Sequence, residues 1–161
     1  MRGSVSAGGT SGTILRPANA DDAEALAAIH RAARRAASPY LPELHDEAED
    51  RDWITDIVLP NATVWVAEAD GQPVGYLALT GSRLDQLYLA PGHQGRGVGS
   101  QLLDQAKALS PAGLQLHTFR RNRRARAFYE ARGFVAMSFS DGADNEEQEP
   151  DVLYGWAGRS I

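Results

Sequence analysis

The chain has no cysteine among its 161 residues. That excludes a disulfide scaffold, a thiol nucleophile and any thiolate metal site. Lysine is almost missing as well: Lys107 is the sole one, and arginine supplies the rest of the 16 cationic residues. We read that as base-composition bias rather than function. No apolar run approaches the ~20 residues of a membrane span. The start lacks the apolar stretch of about seven residues that a secretory signal needs, so the expected home is the cytoplasm. A basic excess is also missing. The formal net charge is -5, which counts against nonspecific nucleic-acid binding. The expectation is a chain without nucleic-acid or membrane partners.

What is present resembles one globular domain. Hydrophobic residues make up 43% and charged residues 23%, near globular averages and unlike a disordered chain. Residues 1–12 are rich in Gly, Ser and Ala and read as a flexible tail. Their first four, Met1 to Ser4, resemble an expression-vector leader. Residues 13–158 read as the domain, with no linker or internal repeat inside it.

Hydrophobic periodicity sets the order of elements. Ile14–Pro17 is a short edge strand. Asn19 or Asp21 caps a helix whose apolar positions, Ala25, Leu26, Ile29, Ala32 and Ala33, recur to Ala37. A Pro-containing loop over 38–45 leads to a second helix from Asp46 to Leu59, ended by Pro60-Asn61. Thr63–Ala69 and Pro73–Thr80 form a hairpin around Asp70-Gly71. Leu84–Ala90 is a further central strand. A Gly-rich segment then opens a helix to Leu109, followed by a strand at Leu114–Thr118 and a helix at Asn122–Arg132 capped by Gly133. Strands at Phe134–Phe139 and Asp151–Trp156 flank a polar loop over 141–150. This is mixed α/β, α+β in its opening, around one sheet.

Two motifs carry chemistry. The first is the strand Leu87-Tyr88-Leu89 feeding Gln94-Gly95-Arg96-Gly97-Val98-Gly99 and then a helix. Small residues let successive N–H groups point into one concavity, and the helix N-terminus favours an anion, with a pyrophosphate the natural occupant. A P-loop would need Gly-Lys-Ser/Thr, which is missing. A dinucleotide fingerprint would need Gly-x-Gly-x-x-Gly after the first strand, and these glycines have the wrong spacing and place. The second motif runs from Asn122 through Ala125, Phe128 and Tyr129 to Gly133-Phe134. On a helix Asn122, Ala125 or Arg126, and Tyr129 share one stripe, while Phe128 turns toward the core.

Both motifs, in this order, resemble the GNAT superfamily of N-acetyltransferases, from about Ile14 to Trp156. The resemblance implies a single GNAT-type domain, with a mostly antiparallel six- to seven-stranded sheet flanked by about four helices. It implies acetyl-CoA as cosubstrate, with its pyrophosphate on Gln94, Gly95, Arg96, Gly97, Val98 and Gly99. Leu87, Tyr88 and Leu89 would offer free backbone groups to the pantetheine arm, the Leu89 N–H polarising the thioester carbonyl. Asn122 and Arg126 would contact the cofactor, and Tyr129 would sit near the sulfur as general acid. A phenol can protonate a leaving thiolate. Candidates for a base are Asp85 and Glu68, both on central strands, although the family often uses none. His117 reads as a half-buried, satisfied histidine.

The remaining charges divide into two patches. Arg120, Arg121, Arg123, Arg124 and Arg126, with Arg96, form a basic run suited to the 3′-phosphate and adenine end of CoA or simply to solvent. Asp141, Asp144, Glu146, Glu147 and Glu149 form an acidic loop that would attract a cationic amine. The four histidines lack zinc spacing, and no Gly-x-Ser-x-Gly elbow exists. The expectation is therefore no metal and no acyl-enzyme. Transfer would run directly from acetyl-CoA to a primary amine of a small molecule or peptide, in a monomer or homodimer. The alternative is a noncatalytic acyl-CoA-binding or sensing module.

Overall fold

A computed structural model describes residues 12–159. The tail expected over 1–12 thus falls outside the described residues except for Gly12. The strands are β1 (Thr13–Pro17), β2 (Thr63–Ala69), β3 (Gln72–Thr80), β4 (Arg83–Leu89), β5 (Leu114–Phe119), β6 (Val135–Ser140) and β7 (Asp151–Trp156). They form one seven-stranded sheet in the order β1-β2-β3-β4-β5-β7-β6. Every neighbouring pair is antiparallel except β4 with β5. Four helical bodies accompany the sheet among the described residues: α1 (Ala23–Ala37), α2 (Glu47–Trp53) with its continuation, α4 (Val98–Leu109) and α5 (Arg123–Glu130).

Local chemistry accounts for these elements. Asn19 caps the 3-10 turn Ala20–Asp22 that leads into α1, and Asp22 completes the capping box. The β2–β3 turn takes positive φ at both central residues, Asp70 (54°) and Gly71 (77°). Such a turn matches the twist of the flanking strands. The second helix runs longer than its apolar pattern predicts. After Trp53 it widens into a π-helical stretch, Ile54–Val58, and closes with a single turn, α3 (Leu59–Asn61). Pro60 lacks an N–H, and the Leu59 N–H donates to the Ile54 carbonyl instead of to Thr55. The Asn61 side chain donates to the Ile57 carbonyl at 2.7 Å and mends part of the disrupted ladder.

The core lies in two layers, one on each face of the sheet, because alternate strand residues point to opposite faces. On one face Leu77, Leu79, Leu84 and Leu116 meet Leu102, Leu103 and Ala106 of α4 and Tyr129 of α5. On the other, Val64, Val66, Tyr76 and Ala78 meet Leu26 and Ile29 of α1 and Ile54 and Val58 of the π stretch. No helix among the described residues is long and apolar enough to cross a membrane.

Two irregularities in the middle of the sheet shape the site. The β4–β5 pair holds only at Arg83 and Gln115, where the Gln115 N–H donates to the Ser82 carbonyl at 2.9 Å. Beyond that point the two strands part, and the sheet opens. The β3–β4 register also slips: Ala78 faces Gln86 while Leu79 faces Leu84. Asp85 is the extra residue of a β-bulge, which turns its side chain out of the regular alternation.

Candidate active site

The opening between β4 and β5 is a cavity of about 420 Å³, lined by Leu87 and Tyr88 on one side and by Thr118, Asn122, Ala125 and Tyr129 on the other. The backbone along β4 is directional. The Ala90 N–H donates to the Val74 carbonyl on β3 at 2.8 Å. Antiparallel pairing alternates, so the Leu89 and Leu87 N–H groups face the β5 side, where no strand takes them. The Leu89 side chain turns toward α4, 3.4 Å from where a Cβ at Gly99 would lie.

At one end of this opening stands the Gly-rich turn. Gly97 is the N-cap of α4 with φ +84°, and no side chain caps the helix. Gly95 has φ +81°. An L side chain at Gly97 would be strained by about 1 kcal/mol or more. The first N–H groups of α4 thus keep no side-chain acceptor, as an anion site requires. Gln94 is half-buried, Arg96 exposed, and Val98 and Gly99 buried.

The α5 stripe divides. Asn122 is the helix N-cap: its Oδ1 accepts from the Ala125 N–H at 3.1 Å, which leaves the amide NH₂ as the group it can offer to a ligand. Tyr129 is 8% exposed, its ring set edge-on to Phe128 and Phe134 at 5.1 and 5.4 Å. Burial, and then Tyr88, hold its phenol well above the usual tyrosine range. Arg126 leaves the stripe. Its Nε donates to the Tyr154 hydroxyl at 2.9 Å and its Nη1 to the Arg120 carbonyl at 3.2 Å, and its guanidinium lies over Phe139. It braces α5 against β6 and β7 rather than lining the opening.

The two base candidates part company as well. Glu68 on β2 accepts from Arg16 Nε at 2.7 Å, at the β1 side of the sheet and outside the lining of the opening. Asp85 lines the opening and the neighbouring cleft. Its Oδ2 accepts from the Thr80 hydroxyl at 2.6 Å, and Arg83 holds Oδ1. His117, expected to be half-buried and satisfied, is exposed on the rim of the opening.

Beside the opening lies a larger cleft of about 930 Å³ between α1, α2 and β4, roofed by the β6–β7 loop. Trp53 and Ile57 present exposed apolar surface to it, 37% and 53% exposed. The acidic loop is not the free patch its composition predicts. Glu146 meets His45 at 3.1 Å, Glu147 meets Arg34 at 2.8 Å and Glu149 meets Arg121 at 2.8 Å. Arg121, from the basic run, also stacks 3.7 Å over the Tyr40 ring. These pairs strap the loop to α1 and to the α1–α2 connection. The His45 imidazole is raised above its usual range by Glu146.

His30 is a residue the sequence reasoning did not assign. It is 7% exposed on α1, with ring centroids 4.9 Å from Tyr88 and 5.4 Å from Trp53. Among the described residues its Nδ1 has no hydrogen-bond partner. Burial, reinforced by Arg34, lowers its pKa to about 4, so it is a neutral wall of the cleft. Its place on the apolar stripe of α1, next to Ile29, was the available signal. Among the described residues no group of three or more acidic or imidazole side chains is placed to hold a metal ion.

Comparison with known proteins places this geometry. The family model described as an acetyltransferase (GNAT) domain matches residues 60–136. The peptidyl-lysine N-acetyltransferase YjaB of Salmonella typhimurium is 34% identical over 131 residues, 81% of this chain and 88% of that protein. Its Escherichia coli counterpart is 32% identical over 149 residues, 89% and 97% of the two chains. The solution structure of apo-form YjaB from Escherichia coli superposes with a TM-score of 0.76 at 28% identity, covering 91% of this chain and 99% of that one.

Proposed function

Because the chain belongs to the GNAT acetyltransferase family, we propose that it transfers the acetyl group of acetyl-CoA directly to a lysine ε-amine presented by a peptide or protein. Bound acetyl-CoA supplies an activated thioester. The chain's part is to align it with the amine, which in favourable cases is worth about 7–11 kcal/mol. The N–H groups of Gly95 to Gly99 would hold the cosubstrate's pyrophosphate. Leu87, Tyr88 and the Asn122 amide, which line the β4–β5 opening, would hold its pantetheine arm. The Leu89 N–H polarises the carbonyl where negative charge develops, and Tyr129, kept protonated by burial, donates to the departing sulfur.

The observation that carries this reading is the parting of β4 from β5 after Arg83–Gln115, with Tyr129 lining the gap and the cleft alongside. The cleft suits a long amine: Trp53 and Ile57 can pack on its aliphatic stem, with carboxylates nearby for its charge. The names of the YjaB relatives support lysine as acceptor. Thiol release and peptide mass, followed together with acetyl-CoA, test the reading. The acceptors are a peptide with a single lysine and a blocked N-terminus, a lysine-free peptide with a free N-terminus, and spermidine. The expected result is release and acetylation with the first. Turnover with only the second or third overturns the lysine assignment. Acetyl-CoA binding without turnover on any of them overturns the catalytic reading in favour of a binding module.

A further inference from the structure

The opening and the cleft share five residues: Arg34, Asp85, Gln86, Tyr88 and Glu147. An amine lying in the cleft meets a thioester in the opening at these side chains, so a carboxylate that pairs with the amine is to be found among them. Gln86 is not ionisable, and its Oε1 already accepts from the Tyr76 hydroxyl. Both Asp85 oxygens are occupied, one by Thr80 and one by Arg83.

Glu147 differs from its neighbours. Its Oε2 accepts from Arg34 Nη2 at 2.8 Å, and Oε1 has no hydrogen-bond partner among the described residues. The side chain is only 14% exposed, so little water weakens the charge it presents. Of the other two paired carboxylates in its loop, Glu149 holds Arg121 with both oxygens. Glu146 is turned to His45 through both of its own, at the 58%-exposed rim.

We propose that Glu147 is the carboxylate that receives the acceptor amine, with Arg34 as its resting partner. The assignment rests on the acetyl-transfer reading above. The incoming ammonium pairs with Oε1 and loses one proton to solvent. The neutral nitrogen forms a bond to the acetyl carbon as the carbon–sulfur bond breaks. Tyr129 gives its proton to the sulfur and is reprotonated from solvent. The second proton leaves the nitrogen, now far more acidic than in the free amine, to Glu147 and from there to water. The products are the acetamide, free CoA thiol and one proton. Arg34 competes with the ammonium for the same carboxylate, so it restrains amine binding in the resting enzyme.

Steady-state kinetics with acetyl-CoA and the single-lysine peptide separate this role from that of a structural brace. Glu147→Gln is expected to raise KM for the peptide about 10- to 100-fold, the range of a hydrogen bond to a charged group, and to lower kcat. KM for acetyl-CoA stays unchanged. Glu147→Asp restores part of the loss. Arg34→Gln, which breaks the same ion pair but leaves the carboxylate, is expected to lower KM for the peptide. If Arg34→Gln and Glu147→Gln raise it alike, the pair is a brace and the proposal is wrong. It is equally wrong if Glu147→Gln changes neither constant. Should Glu147→Gln show no acetyl-CoA-dependent rise in its unfolding midpoint, Glu147→Asp and Arg34→Gln decide by the same signs. A wild-type chain that binds acetyl-CoA but acetylates nothing overturns the functional reading itself, a result distinct from an active wild type with an indifferent Glu147→Gln.

Discussion

The general-acid role proposed for Tyr129 rests on its place and on its being protonated. Tyr129 reaches the opening between β4 and β5, and burial keeps its phenol protonated far above neutral pH. Removing the hydroxyl removes the proton donor and leaves the ring packing against Phe128 and Phe134 intact. Tyr129→Phe is therefore expected to lower kcat about 100-fold or more while leaving KM for acetyl-CoA unchanged. Unchanged kcat in a thiol-release assay would end the assignment. At this scale the sequence was informative where a residue's role depends on its own backbone or its own helix. The Asn122, Ala125 and Tyr129 stripe lines the opening as its i, i+3, i+7 spacing implies. It was silent where a contact depends on a partner distant in the chain. Arg126 is held by Tyr154, 28 positions on, and Glu68 by Arg16, 52 positions back. No local pattern announces either pair.

Helix α1 packs on the sheet through Leu26, Ala27 and Ile29, and His30 sits at the edge of that face. Its folded-state pKa is depressed from 6.5 to about 4 by burial. Between those values the unfolded chain binds the proton that the folded chain refuses. The stability His30 contributes is therefore complete above pH ~6.5 and is lost as pH falls toward ~4, by up to about 3 kcal/mol. Denaturant unfolding across that range is expected to show a steeper acid loss for the wild type than for His30→Leu. Parallel curves would contradict it. His45, shifted upward by Glu146, works in the opposite direction, but it is common to both proteins and cancels in the comparison. Elements were the most legible level of the sequence. Asp70-Gly71, the Gly97 turn and the Asn122 cap each impose a conformation on their own neighbours, and the strands and helices fall within a residue or two of their patterns. The π-helical stretch before Pro60 was not legible, because an apolar stripe does not distinguish four-residue from five-residue hydrogen bonding over one turn.

The whole molecule is a sheet opened at one seam, with a helix layer on each face. The seam between β4 and β5 leaves strand backbone without a strand partner, and Leu87 and Leu89 are the amides that result. Chain order and the two motifs implied such a fold through a family resemblance. The straps across the cleft, Arg34 to Glu147 and His45 to Glu146, join segments about a hundred residues apart and had no sequence signal beyond charge. Residue-resolved amide exchange with and without acetyl-CoA tests the central claim, that the seam holds the cosubstrate. Leu87, Leu89 and the amides from Gly95 to Gly99 are expected to exchange more slowly with acetyl-CoA. Ala90, already bonded to Val74, should be unaffected, and NAD should change none of them. Binding that leaves Leu87 and Leu89 as exchangeable as before would contradict the account.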